Sequence, residues 1–352
     1  MATWGWLPLL AATLGLAQEA LPFPAEAPRP WLPAWELSLR TERVAGLEYL
    51  QDDLLRTDLQ LRLRWSAEWD GLRLVGGIRS ALGSDGNRYN VVRFDQEPSN
   101  GTRLDLARAD FTAVSPRLFG SASLGFQENR LLTSQAMWDP DLRFLGGGFS
   151  AGARSPDGRI QEAGVRFQAG RVRNLQGRDM DLAAGQVILK FDTGWVTWTL
   201  HADHWNLAWK EGLERLEPVP GHETDARQRL DLVAWGAGAK LCGPAPVELR
   251  WFHSRNRGAR EDSDEFQVSA GSRERPWWPQ AMVAWQRLSE SSALYPVNGD
   301  TWWLFRSAKG TRFELALPLP GQWLVSVAYL HQQEDGGEYY IRRRTLEIVK
   351  RF

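Results

Sequence analysis

Three groups of residues in this chain have types and spacings that could do chemistry. Gly148-Phe149-Ser150-Ala151-Gly152 has the spacing of a nucleophile elbow, in which a serine hydroxyl attacks an acyl carbon. That reaction needs the serine on a sharp strand-to-helix turn, with a histidine and an acid in reach. Here the stretch lies in a glycine-rich run of strand character with no helix signal, so its glycines read as allowing bending or close approach of a neighbouring loop. His201-Ala202-Asp203-His204 offers metal ligands, but on a strand His201 and Asp203 share one face while His204 takes the other. At most two ligands converge there, so neither a metal nor any other cofactor is expected. The third group is a set of charges: Asp58, Arg62, Arg64 and Glu68, then Glu128, Arg130, Asp139 and Asp141, then Arg229 and Asp231. Their chemistry is that of a field and a hydration shell, not of bond making.

The first of these charges sit on the most informative element. In Asp53–Trp69, Asp58, Gln60, Arg62, Arg64, Ser66 and Glu68 fall on one parity, and Leu59, Leu61, Leu63, Trp65, Ala67 and Trp69 on the other. On a helix, residues two apart lie about 200° apart, which would smear leucine and arginine around the circumference. On a strand the same order gives one apolar and one polar face. Soluble strands usually run about five or six residues, whereas a strand crossing hydrocarbon needs about 9–11. Arg229 and Asp231, opposite Leu230, Leu232 and Ala234, read as a repeat of this pattern. Val196, Trp198, Leu200 and Ala202 oppose Thr197, Thr199, His201 and Asp203 in the same way.

Composition narrows the class. The chain has 352 residues, 43% hydrophobic, and a net charge of −1, which argues against disorder. Its basic residues are evenly mixed with acids, so no nucleic-acid partner is expected. Tryptophan stands out at 19 residues, and indole rings collect at membrane–water interfaces as well as on sugars and in cores. Only five of the 42 basic residues are lysine, so the charge is carried mainly by the rigid guanidinium fork. Cys242 is alone, which excludes an internal disulfide and a thiolate cluster. No apolar run approaches the roughly 20 residues of a spanning helix, so any insertion must go through strands.

Along the chain, Leu7–Leu16 and the small residues before Gln18 predict a secretory signal peptide over 1–17, although Met1–Trp6 carries no Lys or Arg. A proline-rich periplasmic lead over 18–34 follows, and strands occupy 35–352. Tight turns such as Asp70-Gly71 and Ser115-Pro116 alternate with long polar loops at Gly83–Gly101, Glu128–Leu142, Ala208–Ala226 and Ser289–Gly299. Treating Thr301–Leu317 as one bulged strand, with a turn at Pro318–Gly321, gives sixteen strands, with fourteen and eighteen left open. The expected fold is all-β: a closed antiparallel transmembrane β-barrel of about 16 strands.

Two features resemble a known group. The last strand ends on the aromatic Phe352 with Leu346 and Ile348 on its parity, similar to the signal read by the outer-membrane barrel-assembly machinery, though Lys350 breaks the apolar parity. Leu124–Gly146, with its Trp138-Asp139-Pro140-Asp141-Leu142 loop before a glycine-rich strand, resembles the porin families of Gram-negative outer membranes. The resemblance covers most of the chain in architecture and this stretch in residues. It implies an outer-membrane location, contact with lipid, and passive diffusion of small hydrophilic solutes without chemistry. It leaves monomer or homotrimer open. It also implies that the third outer loop, 128–142, folds into the lumen, so that Glu128, Asp139 and Asp141 face wall arginines such as Arg62, Arg64 and Arg229. Asp58, Arg62, Arg64, Glu68, Arg229 and Asp231 are then expected to line a pore, with Glu128, Arg130, Asp139 and Asp141 at its constriction. Two other readings are carried: a barrel hydrolase using Ser150, and a secreted, Trp-rich carbohydrate-binding β-protein.

Overall fold

A computed structural model describes residues 32–46, 54–83, 101–134, 137–138, 142–175, 178–209, 229–243, 245–289, 308–334 and 340–352. The expected signal peptide and nearly all of the proline-rich lead lie outside them. The described residues form sixteen strands: β1 (Leu32–Ala45), β2 (Leu54–Trp69), β3 (Leu72–Gly83), β4 (Gly101–Val114), β5 (Leu118–Glu128), β6 (Arg143–Ala153), β7 (Ile160–Leu175), β8 (Arg178–Asp192), β9 (Val196–Trp209), β10 (Arg229–Leu241), β11 (Val247–Asn256), β12 (Glu261–Gly271), β13 (Gln280–Leu288), β14 (Ala308–Leu319), β15 (Trp323–Glu334) and β16 (Tyr340–Arg351). Each pairs antiparallel with its sequence neighbours, and β1 pairs with β16, so the sheet closes into a barrel. No helix among the described residues is long and apolar enough to cross a membrane. The apolar surface lies on strands.

The period-two pattern of β2 becomes two surfaces. Leu59 and Leu61 are exposed on the outside, whereas Asp58 and Arg62 are buried on the inside. Leu61 faces Leu37 on β1 and Ser80 on β3 in the ladder, and Leu59 faces Leu39. The outer band runs right round: Phe149 on β6, Phe167 on β7, Trp235 on β10, Phe266 on β12, Phe313 on β14 and Leu346 on β16 are all exposed. A protein in water rarely exposes a contiguous apolar patch beyond a few hundred Å². This belt encircles the whole barrel.

Several boundaries differ from the sequence reading for physical reasons. The sheet begins at Leu32 with Pro33 already paired, which a strand's first residues tolerate. Pro318 lies inside β14 and not in the turn. The last β13 rung is Gln280 with Ala316, so no β13 partner requires an N–H at position 318. β12 starts at Glu261, leaving a connection of only Arg257–Arg260 after β11. The Asp70-Gly71 turn has Gly71 at φ 78°, a conformation that favours glycine.

The seam is extended past β16, because the Phe352 N–H donates to the Trp35 carbonyl at 2.9 Å. Lys350, the residue that broke the terminal apolar parity, places its Nζ 5.3 Å from the Trp323 ring centre and 5.0 Å from that of Phe352. It also donates to the Gly321 carbonyl. Its charge is therefore held on ring faces at the strand end.

The two faces make opposite predictions for one substitution. Leu61→Arg on the outer face should lower stability in vesicles by about 2–4 kcal/mol, whereas Ser38→Arg on the inner face should cost far less. Urea unfolding followed by tryptophan fluorescence checks this, and equal costs would contradict the assignment of faces.

Candidate functional site

The third outer connection leaves β5 at Glu128 and turns into the barrel. Asn129 starts it: its Oδ1 accepts from the Leu131 N–H at 2.9 Å and from Gln168 Nε2 at 2.7 Å. Gln186 then treats the loop as an extra strand, its Oε1 accepting from the Leu132 N–H at 3.1 Å and its Nε2 donating to the Leu132 carbonyl at 2.8 Å. Gln168 Oε1 accepts the Arg130 N–H at 3.2 Å. Two inward glutamines on β7 and β8 thus satisfy backbone that would otherwise be buried without partners.

An apolar seat holds the rest. Leu131, Met137, Trp138 and Leu142 pack in one cluster with Trp205 and Leu207 of β9 and Leu232 and Ala234 of β10. Trp138 and Trp205 are 2% and 0% exposed, with ring centres 5.8 Å apart. The barrel therefore contains a small core of its own.

This seat overturns part of the sequence reading. Leu230, Leu232 and Ala234 were expected to face outward with Asp231 lining the interior. The three apolar residues are buried under the loop, and Asp231 stands on the outer face, its carboxylate 2.6 Å from His204 Nε2. Alternation is the same whether the apolar side meets lipid or a loop. Arg229 pairs with Ala208 in the ladder, and its side chain lies outside the described residues.

Charges fasten the loop's two ends. Glu128 was expected to face wall arginines such as Arg62, Arg64 and Arg229; its ion-pair partner is Arg108 of β4 at 2.6 Å, and the Arg64 and Arg143 charges also lie within electrostatic reach of it. Arg108 also binds Asp110 at 3.1 Å, and Asp110 takes Arg130 of the loop at 2.5 Å. Burial pushes the Arg130 guanidinium below its ordinary pKa, and neighbouring Arg108 adds to this against Asp110 and Glu128. At the other end, Arg143, the first residue of β6, binds Asp105 at 2.9 Å, and Arg64 of β2 binds the same carboxylate at 3.1 Å. Arg62 and Asp58 lie buried on the inner side of β2, and Glu68 lies on the same parity opposite Arg73. Asp139 and Asp141 lie outside the described residues.

Asp105, Arg108, Asp110 and Arg143 were not singled out from the sequence. Asp105 sits where the β3–β4 register shifts, Gly77 pairing with Leu106 and Ile78 with Leu104. The extra residue of a bulge can re-aim a side chain, and here it accompanies a carboxylate with no exposure. A signal was present: Leu104 and Phe111 both face outward, yet their positions have opposite parity, so strict alternation must fail between them.

The remaining candidates also find places. His201 Nδ1 lies 2.9 Å from the Asp203 carboxylate on the inner face, and His204 lies outside, as the parity required. A Cβ at Gly236 would collide with the His201 ring, so glycine makes room for it. No group of three or more metal-ligating side chains occurs among the described residues. Ser150 lies within β6, its Oγ 2.7 Å from that of Ser121 across the β5–β6 ladder, so the strand-to-helix geometry of a nucleophile elbow is not formed there. The nearby glycines relieve strand-to-strand crowding, since a Cβ at Gly146 would strike Ala169 and Gly170 of β7 and not the loop.

Between the loop and the inner wall of β7–β12 lies a cavity of about 440 Å³. Leu132 and Ser134 of the loop line it, with Lys190, Thr199, His201 and Lys240 from the wall. The ladder sets Lys190 opposite Thr199, and Lys240 opposite Thr197.

Removing the carboxylate that binds the loop's far end should be costly. Asp105→Asn is expected to destabilise the barrel by about 3–5 kcal/mol, because it leaves buried guanidinium groups uncompensated. Urea unfolding measures this, and a change below about 1 kcal/mol would show that the pairs are solvated.

No known family profile matches the sequence, and no curated protein matches it. Among solved structures the chain is similar to OprB of Pseudomonas putida, with a TM-score of 0.64, 9% identity, and coverage of 92% of this chain and 94% of the other. It is also similar to OmpF of Salmonella typhi, solved with daunomycin, with a TM-score of 0.52, 13% identity, and coverage of 92% and 97%. Both are porins, and with the sixteen strands of its described residues closed into one antiparallel barrel, this chain shares the porin fold.

Proposed function

We propose that the protein is an outer-membrane porin, a passive diffusion channel for small hydrophilic solutes. The observation that carries this reading is the pairing of an unbroken exposed apolar belt with a polar interior narrowed by an inward-folded loop. Acyl chains cover the belt, and water and solutes occupy the inside. Asp58, Arg62, Arg64 and Glu68 act on solutes through charge and hydration, and Lys190 and Lys240 act with them at the cavity. Arginines fixed by carboxylates set a steady field, and the ammonium groups of the two lysines add compact positive charge beside passing anions. Residues 1–17 direct export, and Phe352 engages the barrel-assembly machinery during insertion.

In a planar bilayer the protein should give discrete ohmic steps, and Lys190→Glu with Lys240→Glu should move the reversal potential toward cation preference. Silence from folded protein would overturn the channel. An unmoved reversal potential would take the two lysines off the permeation path.

The homotrimer rests on a separate observation. On β2–β6 no charged side chain faces outward among the described residues, and small residues are frequent there: Ala107, Ala109, Gly120, Ala122, Gly147 and Ala151. Flat uncharged strands of this kind suit the flank of a second copy. Ala109→Arg and Ala122→Arg should convert a cross-linked trimer to monomer, and a monomeric wild type would refute this face as an interface.

A further inference from the structure

The wall of the interior cavity is built in levels of unlike character. Across β8–β12 the ladder aligns Lys190, Thr199, Gly238, Arg250 and Gln267 on one level. One level toward the loop end it aligns Ile188, His201, Gly236, Phe252 and Glu265. One level toward the turns, Thr197 stands opposite Lys240. The lower two levels are polar, whereas Ile188 and Phe252 of the upper one, with Leu132 of the loop, give the cavity an apolar end.

Gly238 leaves a gap in the middle level. A Cβ there would lie 3.7 Å from the Leu249 carbonyl and from Thr199, an ordinary contact, so packing does not demand glycine. The equivalent gap at Gly236 is filled by the His201 ring. The cavity therefore reaches the strand backbone at one place, between Thr199 and Arg250.

The polar groups around this recess that lack partners are chiefly donors. Arg250 is taken by Glu248 at 2.5 Å, and Arg166 by Glu162 at 2.8 Å. Gln267 Nε2 and Thr133 Oγ1 line the cavity and are buried with no hydrogen-bond partner among the described residues. Lys240 is exposed and has no ion pair among them. A buried donor without a bond is costly, and an ammonium, an amide N–H and a hydroxyl are completed together by a negatively charged acceptor.

We propose that the Gly238 recess binds a small organic carboxylate that carries a compact apolar body. Its carboxylate takes charge-assisted bonds from Lys240 and Gln267, and its body lies against Ile188 and Phe252 beneath Leu132. Glu265, on the apolar level, repels an anionic end placed there and so sets one orientation. The volume of about 440 Å³ is in the range of small-molecule sites. This deepens the channel reading and rests on it, since the carboxylate must reach the interior from water.

The test is isothermal titration of the full-length protein in neutral detergent with cyclohexanecarboxylate, cyclohexylmethanol and acetate in turn. The first has charge and body, the second only the body, the third only the charge. Cyclohexanecarboxylate should bind saturably at one site, about tenfold tighter than either of the others, and Lys240→Gln should remove about that factor. Gly238→Leu, which fills the recess from a position where a side chain fits, should abolish saturable binding. Lys309→Gln, on the outer face of β14, should leave it unchanged. Equal binding of the carboxylate and the alcohol, equal binding of the carboxylate and acetate, or unchanged affinity in either recess variant would each overturn the proposal. Conductance is scored separately in a planar bilayer. A protein that binds the carboxylate but never conducts keeps the site and loses the channel, and a conducting protein without carboxylate preference does the reverse.

Discussion

Acyl chains offer no hydrogen bonds, so a sheet that meets them must satisfy every backbone group from within. Closure of β1 on β16 is how this chain does so, from Glu36 opposite Arg351 to Ala45 opposite Arg342, with Trp35 and Phe352 adding a further bond. Once the sheet is closed there is no edge, and each strand's two-residue period becomes an inside and an outside. The leucines of β2 and the phenylalanines of β6, β7 and β14 then form one surface only because the ladder holds all of them in register.

A closed sheet of this many strands encloses more space than its own side chains fill. The chain fills part of it with the third loop. Two unlike forces hold that loop: an apolar seat around Trp138 and Trp205, and ion pairs at Arg108 and Asp105 that secure its ends. Isolated buried charges would cost several kcal/mol each, so the chain supplies them in sets, with Asp110 between Arg108 and Arg130 and Asp105 between Arg64 and Arg143. The glutamines at 168 and 186 complete the arrangement by binding loop backbone as a neighbouring strand would. One cavity of the interior lies against β7–β12, where Lys190, Lys240 and the threonines of β9 stand.

The sequence made the closed barrel legible because period two is strict on β2 and over Val196–Asp203 of β9 and because turn residues such as Asp70-Gly71 mark the strand ends. It also separated His201 and Asp203 from His204. Alternation distinguishes two faces but does not say which is inner. On β10 the apolar face is the seat of a loop more than eighty residues earlier in the chain, and nothing local to Leu230–Ala234 announces that. Asp105 was hidden for a different reason: a bulge shifts parity by one, and a reader who assumes strict alternation places its carboxylate on the wrong side. Pro318 misled as a turn marker because a neighbouring strand ends before it and makes no demand on its missing N–H. Each miss is a case where a distant partner decided what the local pattern left open.

The central claim is that β2 separates hydrocarbon from water residue by residue. Single cysteines placed from 57 to 65 in a Cys242→Ser background, labelled with nitroxide and reconstituted in lipid, measure this by relaxation with oxygen and with a water-soluble nickel chelate. The account predicts alternation: oxygen reaches positions 59, 61 and 63, and the chelate reaches 60, 62 and 64. Chelate access on both parities, or protection of the leucine positions from both reagents, would contradict it.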